Sequence, residues 1–252
     1  MSEYKFNPKT KGSNVICCVP QKGRCPVRCA DCFFQPNDET GESRAYLGAH
    51  YEDTPNIPPL EFTKNRIVRI NDVNDSNNKR DEVIKVAGQF KDKFFNTSIP
   101  NDLAGFIYPV VLTDNPGSAE DTNTKAHEIY PIPKNLMFVR ARVNTWNLPL
   151  IDRIVQHYSG FQVPIVLTFM AYYETPIPES HKTFYSFRSR TMNSYWVINP
   201  EVWDMVVARY KSNPFVRTCG ADAMKFACTD CRNCENMYKK KIKELGLPSD
   251  VV

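Results

Sequence analysis

Asn14-Val-Ile-Cys-Cys-Val19 is a short apolar run, and a few residues later the chain continues as Arg24-Cys-Pro-Val-Arg-Cys-Ala-Asp-Cys-Phe-Phe-Gln35. The run is apolar and rich in β-branched residues, which predicts a buried strand. Cys25, Cys29 and Cys32 follow this strand on one loop, with the spacing C-x3-C-x2-C. Three thiolates on one loop can hold three corners of a four-iron, four-sulfur cluster and leave the remaining iron open to a ligand.

Similar short apolar runs recur along the chain, and several precede stretches with helical periodicity. This alternation is typical of βα units around a mostly parallel sheet. Helices are predicted over residues 79–90, 150–158 and 200–211, the last with Asn199 as its N-cap and Pro200 in its first turn. The predicted strands cover residues 14–19, 66–71, 93–98, 105–112, 136–143, 163–170 and 194–198.

The cysteine spacing, its place after the first strand and the βα pattern resemble the radical S-adenosylmethionine (SAM) superfamily. That resemblance implies an α/β fold: an incomplete parallel (β/α) barrel of the radical SAM type over residues 10–211, with a cysteine-rich extension and a basic helical tail over residues 212–252. It further implies that SAM binds the open iron and is cleaved by one electron to methionine and a 5′-deoxyadenosyl radical, which abstracts hydrogen from the substrate. The electron would come from a reductase, a flavodoxin or a ferredoxin.

The motif differs from the family pattern at Asp31, a position that is commonly aromatic. The alternative for Cys25, Cys29 and Cys32 is a zinc site completed by a distant fourth ligand. The substrate itself is not predicted, because members of one fold act on many substrates.

Asn71 and Asp72 follow the second predicted strand. At this place the radical SAM family often has a Gly-Gly-Glu-like segment that binds the SAM amino group, although the glycines are missing here. The resemblance makes both residues candidates for accepting a hydrogen bond from the SAM ammonium. A plain turn is the alternative, because Asn and Asp are favoured in turns.

Five further residues are candidate SAM contacts. Arg140, Arg142 and Asn144 alternate along one predicted strand and so share a face. An Arg in a barrel interior needs an anionic partner, which the SAM carboxylate would provide, and a salt bridge on the outer face is the alternative. Met170 and Tyr172, at the end of the next strand, are the candidates for a wall beside the adenine.

A second cysteine motif reads Cys219-Gly-Ala-Asp-Ala-Met-Lys-Phe-Ala-Cys-Thr-Asp-Cys-Arg-Asn-Cys234. Cys219, Cys228, Cys231 and Cys234 make a complete set of four thiolate ligands, and their C-x2-C-x2-C run resembles that of bacterial ferredoxins. Many radical SAM enzymes carry an auxiliary cluster in a C-terminal extension, so a second 4Fe-4S cluster is expected, with structural zinc as the alternative.

Composition and charge limit the compartment and the partners that the sequence predicts. The nine cysteines of this 252-residue chain fall into two clusters, which indicates metal ligation in a reducing, cytoplasmic protein and not a disulfide framework. No signal segment or membrane span is expected, and hence no membrane partner. The net charge of +4, with a lysine-rich tail at residues 239–243, does not indicate nucleic-acid binding. The rival functions are a zinc-stabilised nucleic-acid-binding protein and a two-cluster electron carrier.

Overall fold

Seven parallel strands form one curled sheet, a half-barrel, and a separate antiparallel hairpin lies beside it. The computed structural model describes residues 3–27, 29, 32, 46–48, 53–116, 127–173, 177–189 and 194–251. The strands are β1 (Val15–Cys18), β2 (Ile67–Ile70), β3 (Lys93–Thr97), β4 (Val110–Asp114), β5 (Leu136–Val143), β6 (Ile165–Phe169), β7 (Tyr185–Arg188), β8 (Tyr195–Ile198) and β9 (Val216–Thr218). The helices are α1 (Leu60–Thr63), α2 (Arg80–Ala87), α3 (Leu148–Gly160), α4 (Pro200–Arg209), α5 (Cys228–Cys231) and α6 (Asn233–Leu245).

The strand order in the half-barrel is β1-β2-β3-β4-β5-β6-β9, and every neighbouring pair is parallel. This confirms the prediction of an α/β fold built on an incomplete parallel barrel. Successive strands are neighbours because each βα crossover returns the chain to the next position along the sheet. The carboxyl ends of all seven strands therefore lie at the same rim, where ligand sites of such sheets are usually found.

Two details of the sheet differ from the sequence prediction. The run at residues 194–198 does form a strand, β8, but it pairs antiparallel with β7 outside the half-barrel. A parallel crossover needs about a dozen residues or more, and the connection between β7 and β8 is shorter than that. The last strand, β9, was not predicted, and the sheet therefore extends past residue 211, where the extension was expected to begin.

The beginning of α4 was placed correctly, but its cap differs from the expectation. The helix begins at Pro200, with Asn199 in the N-cap position. The Asn199 side chain makes no bond to the helix backbone. It instead donates to the Thr183 carbonyl oxygen at 3.1 Å and accepts from Ser186, so it ties the helix start to the hairpin.

The two faces of the half-barrel are covered by different helices. One face packs against α2, α3 and α4, which supply Val83, Ile154 and Val206 to a single large core. In a curled sheet of βα units the crossover helices lie outside, so this is the convex face. The concave face packs against α6 instead. The concave apolar layer consists of Val15, Ile67, Phe94, Val111, Phe138 and Val166.

Helix α6 is anchored inside the half-barrel by Tyr238 and Ile242, which are both buried. The Tyr238 ring lies 6.3 Å from that of Phe94, its hydroxyl donates to Asp92 Oδ1 at 3.2 Å, and it accepts from the Lys93 backbone N–H at 3.1 Å. The polar end of a buried tyrosine needs such partners. The C-terminal segment is therefore part of the main core.

We expect Ile242→Ala to lower the free energy of unfolding by about 2–4 kcal/mol, because it leaves a cavity on the concave face. Ile107→Ala is the matched control: Ile107 is 74% exposed, and its truncation should change stability by less than about 0.5 kcal/mol. Urea unfolding followed by circular dichroism measures both. Equal effects would mean that α6 does not contribute to the core.

Candidate functional site

The cysteine loop after β1 is fixed by the loop between β2 and α2. Gln21 Nε2 donates to the carbonyl oxygens of Asp75 and Asn78, at 2.8 and 3.1 Å. Asn74 Nδ2 donates to the Gly23 carbonyl oxygen at 2.8 Å. These bonds between side chains and backbone hold the start of the cysteine loop over the carboxyl end of β2.

Cys25, Cys29 and Cys32 are all half-buried on this loop. The Cys32 N–H donates to the Cys29 carbonyl oxygen at 3.0 Å, which closes a turn between these two cysteines. Burial raises the pKa of the Cys25 thiol to about 12; Asp75, Cys32 and Cys29 add to the rise, and a hydrogen bond from the Val27 backbone opposes it. Cys25 is thus a thiol at neutral pH, and a metal that binds it must displace the proton.

Asn71 lies just beyond β2, beside the start of the cysteine loop. Its backbone N–H donates to the carbonyl oxygen of Cys18, the last residue of β1, at 2.8 Å. Its side chain is buried, and Nδ2 contacts Ser76 Oγ at 3.3 Å. Within the described part of the chain, Asn71 Oδ1 is buried and has no hydrogen-bond partner. A buried acceptor without a partner is unfavourable unless a ligand or water satisfies it.

Asp72, the other candidate after β2, is engaged in a network of protein contacts. Its carboxylate accepts from Asn7 Nδ2 at 2.8 Å and from Tyr46 Oη at 3.0 Å, and it forms an ion pair with Arg69 Nη2 at 3.4 Å. These bonds join the N-terminal segment to the sheet. Of the two candidates, Asn71 is the one with an unused acceptor.

Arg140 and Arg142 lie on the concave face, because Ala141 and Val143 between and beyond them pack into the convex core. Arg140 Nη1 donates to Asn96 Oδ1 at 3.4 Å. Asn144, in contrast, shapes the turn into α3. Its Oδ1 accepts the backbone N–H groups of residues 146 and 147 at 3.0 and 2.7 Å.

Met170 and Tyr172 are buried beyond β6 in a cluster of aromatic side chains. The Tyr172 ring lies 5.2 Å from Trp146 and 5.9 Å from Tyr185. Tyr172 also exchanges two backbone hydrogen bonds with Trp196, at 3.0 and 2.7 Å, so the segment after β6 is attached to the hairpin. The two residues therefore lie within a packed cluster that joins β6 to the hairpin.

The four C-terminal cysteines lie at the ends of short elements on the concave side. Cys219 follows β9, and its N–H donates to the Leu167 carbonyl oxygen at 2.8 Å. Cys228 and Cys231 begin and end α5, and Cys234 is in the first turn of α6. Cys219 and Cys234 both pack against the concave apolar layer.

Hydrogen bonds converge on the sulfur of Cys231. The Cys219 thiol donates to it, and so do the backbone N–H groups of Asn233 and Gly220, which together lower the pKa of Cys231 to about 5. Gly220 has a φ of 108°, and a Cβ there would lie 3.0 Å from the Lys225 carbonyl oxygen, so the turn requires glycine. Backbone N–H groups directed at cysteine sulfur are a recurrent feature of thiolate metal centres.

In the described ranges, the structure contains no group of three or more His, Cys, Asp or Glu side chains with the geometry of a metal site. The donor chemistry nevertheless fits a metal at each motif. Three thiols share one loop at the rim, and four thiols lie near one another inside the half-barrel, where hydrogen-bond donors point at sulfur.

Sequence reasoning missed Arg69, which lies in the middle of β2 with its side chain on the concave face. Its Nη2 contacts Cys17 Sγ at 3.1 Å as well as Asp72. The signal was present, since Arg69 interrupts the otherwise apolar run Ile67-Val-Arg-Ile70. A charged residue inside a buried strand generally requires a partner. Cys18, by contrast, points into the convex core, so the adjacent Cys17 and Cys18 face opposite sides of the sheet.

The lysine-rich tail has acidic partners on its own helix. Lys239 pairs with Glu235 at 3.2 Å, and Glu244 accepts Lys240 at 3.8 Å and Lys241 at 2.7 Å. These contacts offset much of the positive charge of the tail, so they give no support to a nucleic-acid interface.

Comparison with protein-family models, with curated proteins and with solved structures finds no match to this chain. None of the helices in the described ranges is both long and apolar enough to cross a membrane.

Proposed function

We propose that this chain is a radical SAM enzyme that acts on a substrate yet to be identified. One observation carries the proposal: three cysteines with C-x3-C-x2-C spacing lie on the loop after β1, at the carboxyl rim of a parallel half-barrel. Rims of this kind hold the ligands of parallel βα folds. Three ligands also leave one position of a cluster open, which a purely structural site does not need.

Cys25, Cys29 and Cys32 would hold a 4Fe-4S cluster. When bound, the cluster supplies the electron that cleaves SAM into methionine and a 5′-deoxyadenosyl radical. The loop between β2 and α2 would position the three cysteines through its bonds to residues 21–24. A flavodoxin, a ferredoxin or a reductase would be the electron donor. The four C-terminal cysteines would hold a separate metal centre, a second 4Fe-4S cluster or zinc.

Asn71 would bind the ammonium group of SAM through Oδ1. The oxygen is buried and has no partner within the described ranges, and Asn71 directly follows β2, the strand that pairs with β1. An ammonium has three donors and would satisfy it with a charge-assisted bond. The polar network of Asp72, the next residue, would hold Asn71 in place. Arg140 and Arg142 would be less direct contacts of SAM than Asn71.

The proposal is tested by anaerobic reconstitution with iron and sulfide, reduction with dithionite, and chromatography of the products formed from SAM. We expect 5′-deoxyadenosine and methionine in equal amounts, above the level of the metal-free protein. If the loaded, reduced protein gives no 5′-deoxyadenosine with or without candidate substrates, the proposal is wrong.

For Asn71 we expect Asn71→Gly to raise the SAM concentration needed for half-maximal cleavage by about tenfold or more, because a hydrogen bond to a charged group is lost. Glycine accepts the φ of 59° at this position, so the change removes the carboxamide without backbone strain. Asn65→Gly is the matched control, since Asn65 has a φ of 55° and is exposed. The same SAM dependence in both variants would exclude Asn71 from the site.

A further inference from the structure

The concave face of the half-barrel becomes polar two residues beyond its apolar layer. Because side chains alternate along a strand, residues two positions further on face the same way. Contacts within this polar layer confirm the placement: Arg69 Nη2 lies 3.1 Å from Cys17 Sγ, and Arg140 Nη1 lies 3.4 Å from Asn96 Oδ1. The polar layer consists of Cys17, Arg69, Asn96, Thr113, Arg140 and Thr168.

The charge of Arg69 is only partly compensated by the protein around it. Its side chain is 12% exposed, and the one ion pair it forms in the described ranges, with Asp72, is long at 3.4 Å; that carboxylate also accepts from Asn7 and Tyr46. Its Nε is buried and has no hydrogen-bond partner in the part of the chain that the structure describes. Burial raises the pKa of Cys17, so this neighbour is a neutral thiol and brings no opposite charge.

Arg140 has weaker partners still. Its Nη1 donates to the neutral amide oxygen of Asn96 at 3.4 Å, and its guanidinium carbon lies 5.7 Å from the centre of the Phe138 ring. No carboxylate in the described ranges forms an ion pair with it. Arg69 thus has one long ion pair and Arg140 has none in the described ranges, so the two guanidinium groups leave positive charge on the concave face that a further anion would stabilise.

The nearest source of negative charge is the C-terminal cysteine set. Cys219 and Cys234 pack on the apolar layer directly beside the polar one. The Cys219 N–H donates to the carbonyl oxygen of Leu167 at 2.8 Å, and Leu167 lies between Val166, which pairs with Arg140 across the sheet, and Thr168 of the polar layer. The two guanidinium groups and these cysteines therefore lie within electrostatic reach of one another.

We propose that Arg69 and Arg140 are positioning residues that form a cationic floor under the C-terminal cysteine site and stabilise a negatively charged tetrathiolate metal centre there. The inference rests on the second metal centre of the proposed function. Four thiolates outweigh the positive charge of a zinc ion or of an iron–sulfur core, so the bound centre is an anion. Enclosed in the half-barrel, it gains most from cations that are already fixed in place.

The test uses the full chain with Cys25, Cys29 and Cys32 replaced by Ala, so that the C-terminal site is the one cysteine motif left intact. Cobalt(II) alone is the probe, because a tetrathiolate site gives it strong visible absorption, and a chelator in competition yields the dissociation constant. We expect Arg69→Gln and Arg140→Gln each to weaken binding by about tenfold to a hundredfold, the usual effect of outer-shell changes around a metal. Arg69→Lys should restore much of the affinity, because it keeps the charge.

Arg153→Gln is the matched control, since Arg153 lies on α3, 57% exposed and paired with Glu128. Affinities of Arg69→Gln and Arg140→Gln equal to that of this control would overturn the inference, and so would an equal loss in Arg69→Lys and Arg69→Gln. If Arg69→Gln fails to fold by circular dichroism, Arg140→Gln decides alone. Absence of cobalt binding with both arginines intact also overturns the inference. SAM cleavage at Cys25, Cys29 and Cys32 is measured separately, in the unsubstituted chain, so failure of this inference is distinguishable from failure of the proposed function.

Discussion

Single replacement of Cys25, Cys29 or Cys32 by Ala is expected to abolish formation of 5′-deoxyadenosine, down to the level of the metal-free protein. Each change would remove one of the three proposed ligands of the cluster, which has no spare protein ligand. The cysteines are half-buried on a loop at the rim, so the fold should persist. Product chromatography after anaerobic reconstitution measures the activity, and circular dichroism verifies the fold.

Cys18→Ala is the control for these three variants. Cys18 is fully buried, yet it faces the convex core and is not a proposed ligand. Its replacement should lower stability modestly, by about 1 kcal/mol for the small cavity, and leave SAM cleavage in place. Cleavage retained in any of the three ligand variants would show that the wrong cysteines have been assigned.

The variant lacking all three rim cysteines is expected to take up about four irons per chain on reconstitution, the content of one 4Fe-4S cluster. Cys219, Cys228, Cys231 and Cys234 provide four protein ligands and leave no open position. The electron paramagnetic resonance signal of the reduced variant should therefore be unchanged on adding SAM. Further replacement of Cys231 by Ala should remove most of this iron, because it would take away one of the four proposed ligands.

Zinc in place of iron in this variant would assign the C-terminal site a structural role, as four-cysteine zinc sites usually have. The site connects β9, α5 and α6, so removal of either metal should also lower the unfolding temperature. A variant that takes up neither metal would refute the second site.

The repeating part of the fold was predictable because its signals are local. Strands β1, β2, β3, β5 and β6 are apolar runs, and α2, α3 and α4 have one apolar face each, so length and periodicity were enough. Strand β4 begins at Val110, later than expected, because Gly105 ends a short 3-10 helix and residues 106–109 connect it to the strand. Three-residue β9 is too short to show any alternation.

The position of α6 was not predictable, because it depends on contacts between residues more than a hundred positions apart. Tyr238 meets Phe94 and Asp92, and nothing in the local sequence of the tail indicates that partner. The same limit applies to the arginines. That Arg140 and Arg142 share a face follows from strand periodicity, but the position of the C-terminal cysteines relative to that face depends on contacts that are distant in sequence.

The cysteine motifs themselves were visible because spacing in sequence constrains which thiols can share a metal. The role of Asn144 could not be predicted, since asparagine is common both in ligand sites and in turns. Here its side-chain oxygen accepts two backbone N–H groups of a turn. In Asn71, by contrast, the side-chain oxygen accepts no hydrogen bond from the described residues.

Helix α6 also occupies one end of the half-barrel. Tyr238 and Ile242 pack on Val15 and Ile67, the first residues of their strands, so the interior is filled from that end. Helix α6 thus covers the amino-terminal ends of these strands. The opposite rim carries the cysteine loop. On the proposed function, SAM and the substrate would therefore approach from this rim, because α6 already occupies the opposite end.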